Sequence, residues 1–399
     1  MTLRIPEYGT RCFDALPATV ERLLTGAGEG LRLGAPALER RYDHVVLVYL
    51  DAFGWRFAER HADHQLLRGA DLVEPLTSQF PSTTVVHTTT IHSGLPVGAH
   101  GLYEWFVHDP ALDRMISPLI FSFAGDDSRN TLLAAGVAAG DVYPAESLYV
   151  RLSATGVGSH VAHPAPIADT PPTRWLTRGA TVHGFETAGD GLAATGAALA
   201  REERGYGVVY IPEIDALMHG VGPDDPSVAE AFEAALSAID TAARGGAFPP
   251  ETLVLVTADH GMAAISPERT TYVNVVWPEL AELVPRGADG RPLAPGGSCR
   301  DLFLHVRPGC VDEVAGRLRE LLAGVADVHP VEELVAAGAF GPEISDALRR
   351  RLADVVCLPH PGEAVYWYER GRFEQTFLGH HGGMSADELE IPLVALVTR

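Results

Sequence analysis

The chain has 399 residues, of which 46% are hydrophobic and 21% are charged, and its formal net charge is −22. This length fits one large domain or two, with enough apolar material for a sizeable buried core. The acidic balance excludes nucleic-acid binding through a basic surface. Lysine is absent, so the 30 strongly basic residues are all arginines, which excludes a P-loop lysine and a lysine Schiff base.

The first residues of the chain contain no recognisable export signal. Residues 1–20 include Arg4, Glu7, Arg11 and Asp14 and lack the continuous apolar segment of a secretory signal. No apolar run reaches the roughly 18 residues that a membrane span needs. The four cysteines are scattered and form no Cys-x-x-Cys pair, so neither a zinc knuckle nor a disulfide framework is indicated. We therefore expect a cytoplasmic protein without a membrane partner.

Three short apolar segments, rich in β-branched residues, predict strands that are buried on both faces, as in a parallel sheet. Helical patterns at 191–204 and 227–243 lie between them. Alternating strands and helices predict an α/β fold with a doubly wound, mostly parallel sheet. In such sheets functional groups collect beyond the carboxyl ends of the strands. The segments and the aspartates that follow them are 44–50 with Asp51, 206–211 with Asp215, and 252–257 with Asp259.

The sequence pattern changes after Gly261, with frequent Gly and Pro around 286–297, and this predicts a second, smaller structural unit. The final apolar run, 391–397, predicts a strand that returns to the main sheet. We therefore expect a catalytic core of residues 1–261 and 380–399, and a smaller α/β cap or insertion of residues 262–379 that shapes substrate choice. The elements predicted inside the insertion are a strand at 301–306, a helix at 311–322 and a short strand at 325–329.

Four segments near the predicted strand ends offer oxygen and imidazole ligands for divalent metal ions. Each segment alone has an ordinary alternative as a helix cap, a solvated helical pair, a turn or a surface loop. Together they supply three aspartates and at least two histidines, enough for two ions. The segments are Asp51, Asp215-x-x-x-His219, Asp259-His260 and His380-His381.

A hydroxyl-rich segment at 80–94 offers a nucleophile. Pro81 and the Ser/Thr run after it predict that a helix begins near residue 84. A hydroxyl at a helix N-terminus faces free backbone N–H groups and the positive end of the helix dipole, which suits a phosphoryl oxygen. Ser82, Thr83 and Thr84 are therefore candidate nucleophiles. The alternative is that these residues serve only as caps and packing.

The motifs and their order along the chain resemble those of the alkaline phosphatase superfamily, and within it those of the type I phosphodiesterase/nucleotide pyrophosphatase branch. The fold implied by the resemblance is the α/β fold already predicted from the strands. The motifs span residues 44–397, and it is their joint order and spacing that make the resemblance specific. They are Leu-Asp51-Ala-Phe-Gly, Phe80-Pro-Ser-Thr-Thr84 with a trailing His100-Gly101, Asp215-x-x-x-His219-x-x-Gly-Pro223, Asp259-His260-Gly and Gly379-His-His381-Gly382.

The resemblance implies a centre of two divalent metal ions, with Thr84 as the nucleophile beside one of them. Zinc suits mixed imidazole and carboxylate ligation, and manganese and iron are the alternatives. His381 rather than His380 is the implied ligand because the family ligand directly precedes glycine. The implied ligands of one ion are Asp215, His219 and His381, and those of the other are Asp51, Asp259, His260 and Thr84.

Two residues depart from the family pattern. Trp105 stands where the family usually places a phosphate-binding asparagine, shortly after the His-Gly pair. Val85 follows the nucleophile, where an aromatic residue often helps to hold a nucleobase. Both departures argue against a nucleotide substrate, whereas neither removes the hydrolytic chemistry.

We therefore expect a metal-dependent phosphoric ester hydrolase of the phosphodiesterase/nucleotide pyrophosphatase type. Its substrate would be a small-molecule phosphoester, cleaved at a phosphodiester or pyrophosphate bond through a covalent phospho-threonine intermediate. The alternatives on the same site are a phosphomonoesterase, a phosphomutase or a related sulfate or phosphonate ester hydrolase. A non-catalytic phosphoryl-binding protein is the alternative of another class.

Overall fold

A computed structural model describes residues 4–126 and 128–399. Seven of the described strands form a main sheet, and smaller sheets of two to four strands lie around it. The strands are β1 (His44–Leu50), β2 (Leu72–Thr77), β3 (Val107–Asp109), β4 (Arg114–Ser117), β5 (Ser122–Phe123), β6 (Gly158–Pro164), β7 (Thr181–Phe185), β8 (Gly205–Ile211), β9 (Leu253–Thr257), β10 (Ala263–Ala264), β11 (Thr270–Tyr272), β12 (Gly296–Gly297), β13 (Leu302–Leu304), β14 (Ala326–Pro330), β15 (Val355–Pro359), β16 (Ala364–Tyr366), β17 (Gly379–His380) and β18 (Glu390–Val397).

The helices vary from single turns to 19 residues. Within the described part of the chain, none is long and apolar enough to cross a membrane. They are α1 (Leu16–Thr25), α2 (Trp55–Arg60), α3 (Gln65–Arg68), α4 (Thr84–Ser93), α5 (Val97–His100), α6 (Thr131–Ala134), α7 (Ala139–Val142), α8 (Leu148–Ser153), α9 (Pro171–Leu176), α10 (Ala188–Leu199), α11 (Glu213–Val221), α12 (Pro226–Arg244), α13 (Val273–Val276), α14 (Leu280–Leu283), α15 (Val311–Leu321), α16 (Val331–Ala336), α17 (Asp346–Arg351) and α18 (Ala386–Leu389), with 3₁₀ turns at Phe13–Ala15, Pro36–Leu38, Ala165–Ile167 and Pro267–Arg269.

The main sheet has the strand order β2-β18-β9-β1-β8-β6-β7. Strand β1 pairs in parallel with β8 on one side and β9 on the other. Only β18 runs antiparallel to both of its neighbours, β2 and β9. This mostly parallel sheet confirms the predicted fold class, and β18 confirms the predicted return of the last segment to it.

The three central strands fall where the apolar segments predicted them. Strands β1, β8 and β9 are buried along nearly their whole length, because helices cover both faces of the sheet. The predicted helix at 227–243 is α12. The predicted helix at 191–204 is α10, which begins earlier, at Ala188, and ends at Leu199. It ends there because the chain turns over 200–204 in order to enter β8 at Gly205.

Strand register brings the chemistry-bearing residues to one edge of the sheet. Leu50 lies opposite Ile211 of β8, and Tyr49 lies opposite Thr257 of β9. The segments that follow β1, β8 and β9 therefore leave the sheet at the same edge. Asp51 follows β1 directly, whereas α11 begins two residues after β8.

Strands β12, β13, β15 and β14 form a separate four-stranded sheet between residues 296 and 359, with α15 packed on it. The strands at 302–304 and 326–330 and the helix at 311–321 confirm the elements predicted for the insertion, although the first strand is shorter than expected. Phe303 and Phe340 pack against Phe80 of the core, with ring centroids 6.3 and 5.4 Å away. The division into core and cap stays a prediction.

Candidate metal centre and nucleophile

Asp51, Asp259 and His260 converge at the carboxyl ends of β1 and β9. All three are at most 1% exposed. His260 Nε2 lies 3.5 Å from Asp51 Oδ1 and 3.2 Å from Asp259 Oδ2. One ligand atom from each residue lies within 4.8 Å of the others, so the three can share one small cation.

A second group adjoins the first. Asp215 and His219 lie one turn apart on α11, with His219 Nε2 3.4 Å from Asp215 Oδ2. His381 follows β17, and its Nε2 lies 3.7 Å from Asp215 Oδ1. Ligand atoms of Asp215, His260 and His381 also fall within 4.8 Å of one another. His260 therefore stands between the two groups, with its ring stacked 3.5 Å from that of His381.

Backbone carbonyls fix the orientation of the three imidazoles. The Nδ1 atoms of His219, His260 and His381 lie 2.8–2.9 Å from the carbonyl oxygens of Gly379, Gly261 and Ser82. Since a carbonyl only accepts, each Nδ1 carries the proton and donates it. Nε2 of each ring is then the nitrogen that faces the carboxylates, which is the arrangement of metal-binding histidines.

Three carboxylate oxygens at this site are buried without a hydrogen-bond partner: Asp51 Oδ1, Asp215 Oδ1 and Asp259 Oδ2. A buried carboxylate oxygen is costly unless a hydrogen bond or a cation compensates it. Burial raises the pKa of Asp51 well above its usual value, and the neighbouring carboxylate of Asp259 raises it further. Oxygens that lack a hydrogen bond and face imidazole nitrogens fit divalent cations with mixed nitrogen and oxygen ligands.

Among the three candidate nucleophiles, Thr84 is the one that faces these groups. It is the first residue of α4, and its Oγ1 lies 3.2 Å from His260 Nε2. Ser82 Oγ instead donates to Gly383 O, at 2.9 Å. Thr83 is the N-cap residue, with extended backbone, and its hydroxyl contacts the carboxyl of Glu104. The helix begins where the sequence predicted.

The adjacent His380 and His381 have different surroundings. His380 Nδ1 accepts a hydrogen bond from the backbone N–H of His381, at 2.9 Å. Its ring packs against His219, with centroids 4.9 Å apart. His381 alone of the two presents a ring nitrogen to Asp215. Burial, followed by the His260 ring, lowers the pKa of His381 well below its usual value, so its imidazole is neutral, as a ligand must be.

Three polar residues around the site carry no sequence motif. Tyr210, in β8, donates its hydroxyl proton to Asp51 Oδ2. Glu104 and Asp301 place two buried carboxyl groups in contact behind the start of α4. The sequence does point to Tyr210, because a tyrosine stands out among the Val and Ile residues of a buried strand. The contact between Glu104 and Asp301 joins residues nearly 200 positions apart and had no local signal.

A cavity of about 280 Å³ opens next to Thr84. Its lining includes Thr84, Asp51 and Asp215, so it is continuous with both ligand groups. Trp105, which is 37% exposed, forms part of its wall. Every residue that lines it lies between positions 51 and 215. A larger cavity of about 610 Å³, lined in part by Ala99, contains none of the candidate ligands.

The mostly parallel sheet, with the candidate ligand groups beyond the carboxyl ends of its central strands, is an α/β fold of the alkaline phosphatase type. The chain belongs to the type I phosphodiesterase/nucleotide pyrophosphatase family, whose sequence profile matches residues 45–384. This family is metal-dependent, and membership indicates a phosphoester hydrolase of the phosphodiesterase and pyrophosphatase kind. No curated protein sequence matched the chain.

Solved structures show the same fold at low sequence identity. Inactive murine ectonucleotide pyrophosphatase/phosphodiesterase 5 in complex with AMP is 20% identical, with a TM-score of 0.64 over 88% of this chain and 87% of that one. Its human counterpart is 18% identical, with a TM-score of 0.63 and the same coverage. Phosphonoacetate hydrolase from Sinorhizobium meliloti in complex with phosphonoacetate is 18% identical, with a TM-score of 0.60 over 88% of this chain and 89% of that one.

Proposed function

We propose that the chain hydrolyses phosphodiester or pyrophosphate bonds of a small molecule, with two divalent metal ions and Thr84 as the nucleophile. One observation supports this above others. Three buried carboxylate oxygens without partners meet three oriented imidazoles beside a hydroxyl at a helix start. These oxygens lie 3.2–3.7 Å from imidazole nitrogens without a hydrogen bond to them, and a cation between the two kinds of group would satisfy both.

The residues of the chain divide into two proposed ligand sets. Asp51, Asp259 and His260 would hold one ion beside Thr84. Asp215, His219 and His381 would hold the other, with His219 and His381 on opposite oxygens of Asp215. When bound, such ions neutralise phosphate charge and lower the pKa of hydroxyl groups. Zinc is the proposed metal, because its usual ligands are imidazole and carboxylate.

Thr84 performs the covalent step. Its Oγ1 attacks phosphorus, the bond to the leaving oxygen breaks, and the phosphoryl group stays on the threonine. Water then cleaves the Oγ1–phosphoryl ester and restores the hydroxyl. The positive end of the α4 dipole, at Thr84, would stabilise the charge of the phosphoryl oxygens. Tyr210 and the backbone carbonyls hold Asp51 and the imidazoles in place.

Metal analysis followed by a substrate panel tests the proposal. Purified protein is expected to hold about two divalent ions per chain, to lose activity on chelation and to regain it with Zn²⁺. Matched p-nitrophenyl diesters, monoesters, sulfates and phosphonates then rank the bond types, with diesters expected first. Full activity after exhaustive chelation would refute metal dependence. Metal-loaded protein without activity on any of these esters would favour a phosphoryl-binding protein.

A further inference from the structure

The cavity beside Thr84 is the space into which a substituent on the attacked phosphorus extends, given the proposed function on which this inference rests. Thr84, Thr88 and His92 line it at successive turns of one face of α4. His163, near the end of β6, also lines it, and its Nδ1 is buried without a hydrogen-bond partner. The cavity therefore has unused polar groups in addition to the ligand residues.

Apart from the proposed metal ligands, the cavity lining has one charged side chain, and it is a cation. Asp51 and Asp215 are the acidic residues of the lining, and both belong to the proposed ligand sets, where metal ions balance them. His92 and His163 are neutral, because burial lowers the pKa of both. Arg129 is the one arginine of the lining. In a chain of net charge −22, this is a specific local reversal of sign.

Arg129 stands on a backbone that is fixed on both sides. The carbonyl of Ser128 accepts a hydrogen bond from Ser122 Oγ at 2.7 Å, and the N–H of Asn130 donates to Ile120 O at 2.9 Å. Asn130 and Phe121 adopt positive φ angles of 66° and 53°, a conformation that non-glycine residues rarely adopt. These angles fix how Arg129 and Ile120 enter the lining, so the wall is a formed structure.

Arg129 lines the cavity as an exposed side chain, and its guanidinium has no ion-pair partner within residues 4–126 and 128–399. Arginine binds carboxylate and phosphate oxygens through paired N–H donors. The cavity volume of about 280 Å³ lies just under the roughly 300–1,000 Å³ typical of drug-sized ligands. The cavity therefore suits a compact group with a terminal anion.

We propose that the substrate is a compact phosphoester with a second anionic group, a carboxylate or a phosphate, that Arg129 binds across the cavity from Thr84. The phosphorus that Thr84 attacks and the distal anion are then parts of one molecule. Leu119 and Ile120 provide apolar walls for the short carbon skeleton between the two groups. This makes Arg129 a specificity residue, whereas the reacting atoms contact Thr84 and the ligand residues.

Three matched diesters test this proposal. All carry a p-nitrophenolate leaving group, and the second arm is propyl, 2-carboxyethyl or 2-phosphonooxyethyl. With metal-loaded protein, kcat/KM is expected to be higher for one or both anionic arms than for propyl. Arg129→Gln should lower kcat/KM for the preferred anionic arm by about 10- to 100-fold and leave the propyl diester unchanged. Arg129→Lys should recover part of the loss, because it restores the charge without the paired donors.

Arg201→Gln is the matched control, since Arg201 is exposed, lies outside the cavity lining and has the same charge. This variant should leave kcat/KM unchanged for all three diesters. Equal losses on propyl and anionic arms in Arg129→Gln, or a wild-type preference for propyl, would overturn the proposal. The ratio between the carboxylate and phosphate arms identifies the anion. If wild-type protein cleaves none of the diesters, the proposed function fails instead, which is a separate result.

Discussion

Thr84 owes its position to the residues on either side of it. Thr83 adopts extended backbone as the N-cap of α4, and the next residue therefore opens the helix with its hydroxyl toward His260. The hydroxyl of Ser82 is already engaged with Gly383. This place, at the start of a helix and beside the candidate ligands, suits the role proposed for Thr84.

Replacing the Thr84 hydroxyl tests its role directly. Thr84→Ala is expected to lower kcat by about 10³-fold or more, because the covalent route is lost while the metals and the cavity remain. Thr84→Ser should keep measurable activity, since serine retains the oxygen. Acid quenching followed by peptide mass spectrometry should find the phosphoryl group on Thr84 in wild type. Thr83→Ala is the neighbouring control and should cost far less; a phosphorylated Thr83 or Ser82 would refute the assignment.

Glu104 gives the fold a pH dependence that the chemistry does not require. Glu104 is 1% exposed and its carboxyl contacts that of Asp301, and within residues 4–126 and 128–399 no arginine pairs with either. Burial raises the pKa of Glu104 from 4.5 to about 7. The folded state therefore holds a proton that the unfolded state releases. The stabilisation that this bound proton gives the folded state is fully present below pH 4.5 and is lost as the pH rises through 7.

Glu104→Gln removes this titration while keeping the shape of the side chain. The free energy of unfolding of the wild type should fall between pH 5 and 8, by an amount on the order of 2 kcal/mol, and the variant should show a flatter profile. Urea unfolding at several pH values measures both profiles. Glu203→Gln, at an exposed position, removes the same charge and should leave the slope unchanged. Parallel profiles for wild type and Glu104→Gln would contradict the prediction.

Some site residues could be predicted because they lie next to a recognisable strand in the sequence. Others could not, because only the folded chain brings them together. Asp51 and Asp259 directly follow apolar segments, so the strand prediction also locates the two aspartates. His260 lies beside Asp259, and its position follows from the same strand. Glu104 and Asp301 follow no periodic pattern, because their contact depends on how distant loops fold together. Local patterns predict groups at strand ends, whereas groups brought together by loops need the tertiary structure.

At the scale of elements, the loop that carries His381 is held by a segment of the insertion. Ser298 Oγ lies 3.1 Å from the carbonyl oxygen of His381 and 2.6 Å from Asp301 Oδ1. Arg300 binds both oxygens of Glu388, at 3.0 and 2.9 Å, and this pair is almost completely buried. Glu388 also accepts the N–H of Gly383. The segment 298–301 therefore fixes the loop on both sides of the ligand.

Breaking the buried pair should disturb the ligand loop. Glu388→Gln leaves the Arg300 guanidinium buried without a counter-ion, so the free energy of unfolding should fall by roughly 3 kcal/mol. Because the loop positions His381, metal affinity should also fall, by about 10- to 100-fold at one of the two ions. Chemical denaturation and metal titration measure the two effects.

The exposed pair of Arg317 and Glu320 supplies the control. Its side chains are 51% and 70% exposed, so solvent screens their interaction. Glu320→Gln should change stability by less than about 1 kcal/mol and should retain both metals. If Glu388→Gln binds metal as tightly as wild type does, the buried pair has a role in stability alone.

Across the whole molecule, the centre of the parallel sheet was predictable because β1, β8 and β9 are continuous apolar segments of the right length, whereas β2, β6 and β7 of the same sheet were not predicted. The short strands β3, β4 and β5 were not predicted, since segments of two to four residues carry too little periodicity. Two of the loops next to these strands contribute Trp105 and Arg129 to the cavity. The part of the chain that shapes the substrate space was thus the hardest to predict from the sequence. The cytoplasmic location stays a prediction.

Residues of the predicted insertion contact the loop that carries His381, while the expected role of the insertion in substrate choice stays a prediction. No residue of 262–379 lines the cavity, whereas Ser298 and its neighbours support the His381 loop. Substrate preference and metal retention should therefore depend on two different parts of the chain.

Trp105→Ala should change the relative kcat/KM of small and bulky diesters and keep about two metals per chain. Ser298→Ala should lower metal retention and leave that ratio unchanged, because it alters the ligand loop but not the cavity wall. Metal content after gel filtration and paired kinetics measure both quantities, and a changed substrate ratio in Ser298→Ala would support the predicted role of the insertion in substrate choice.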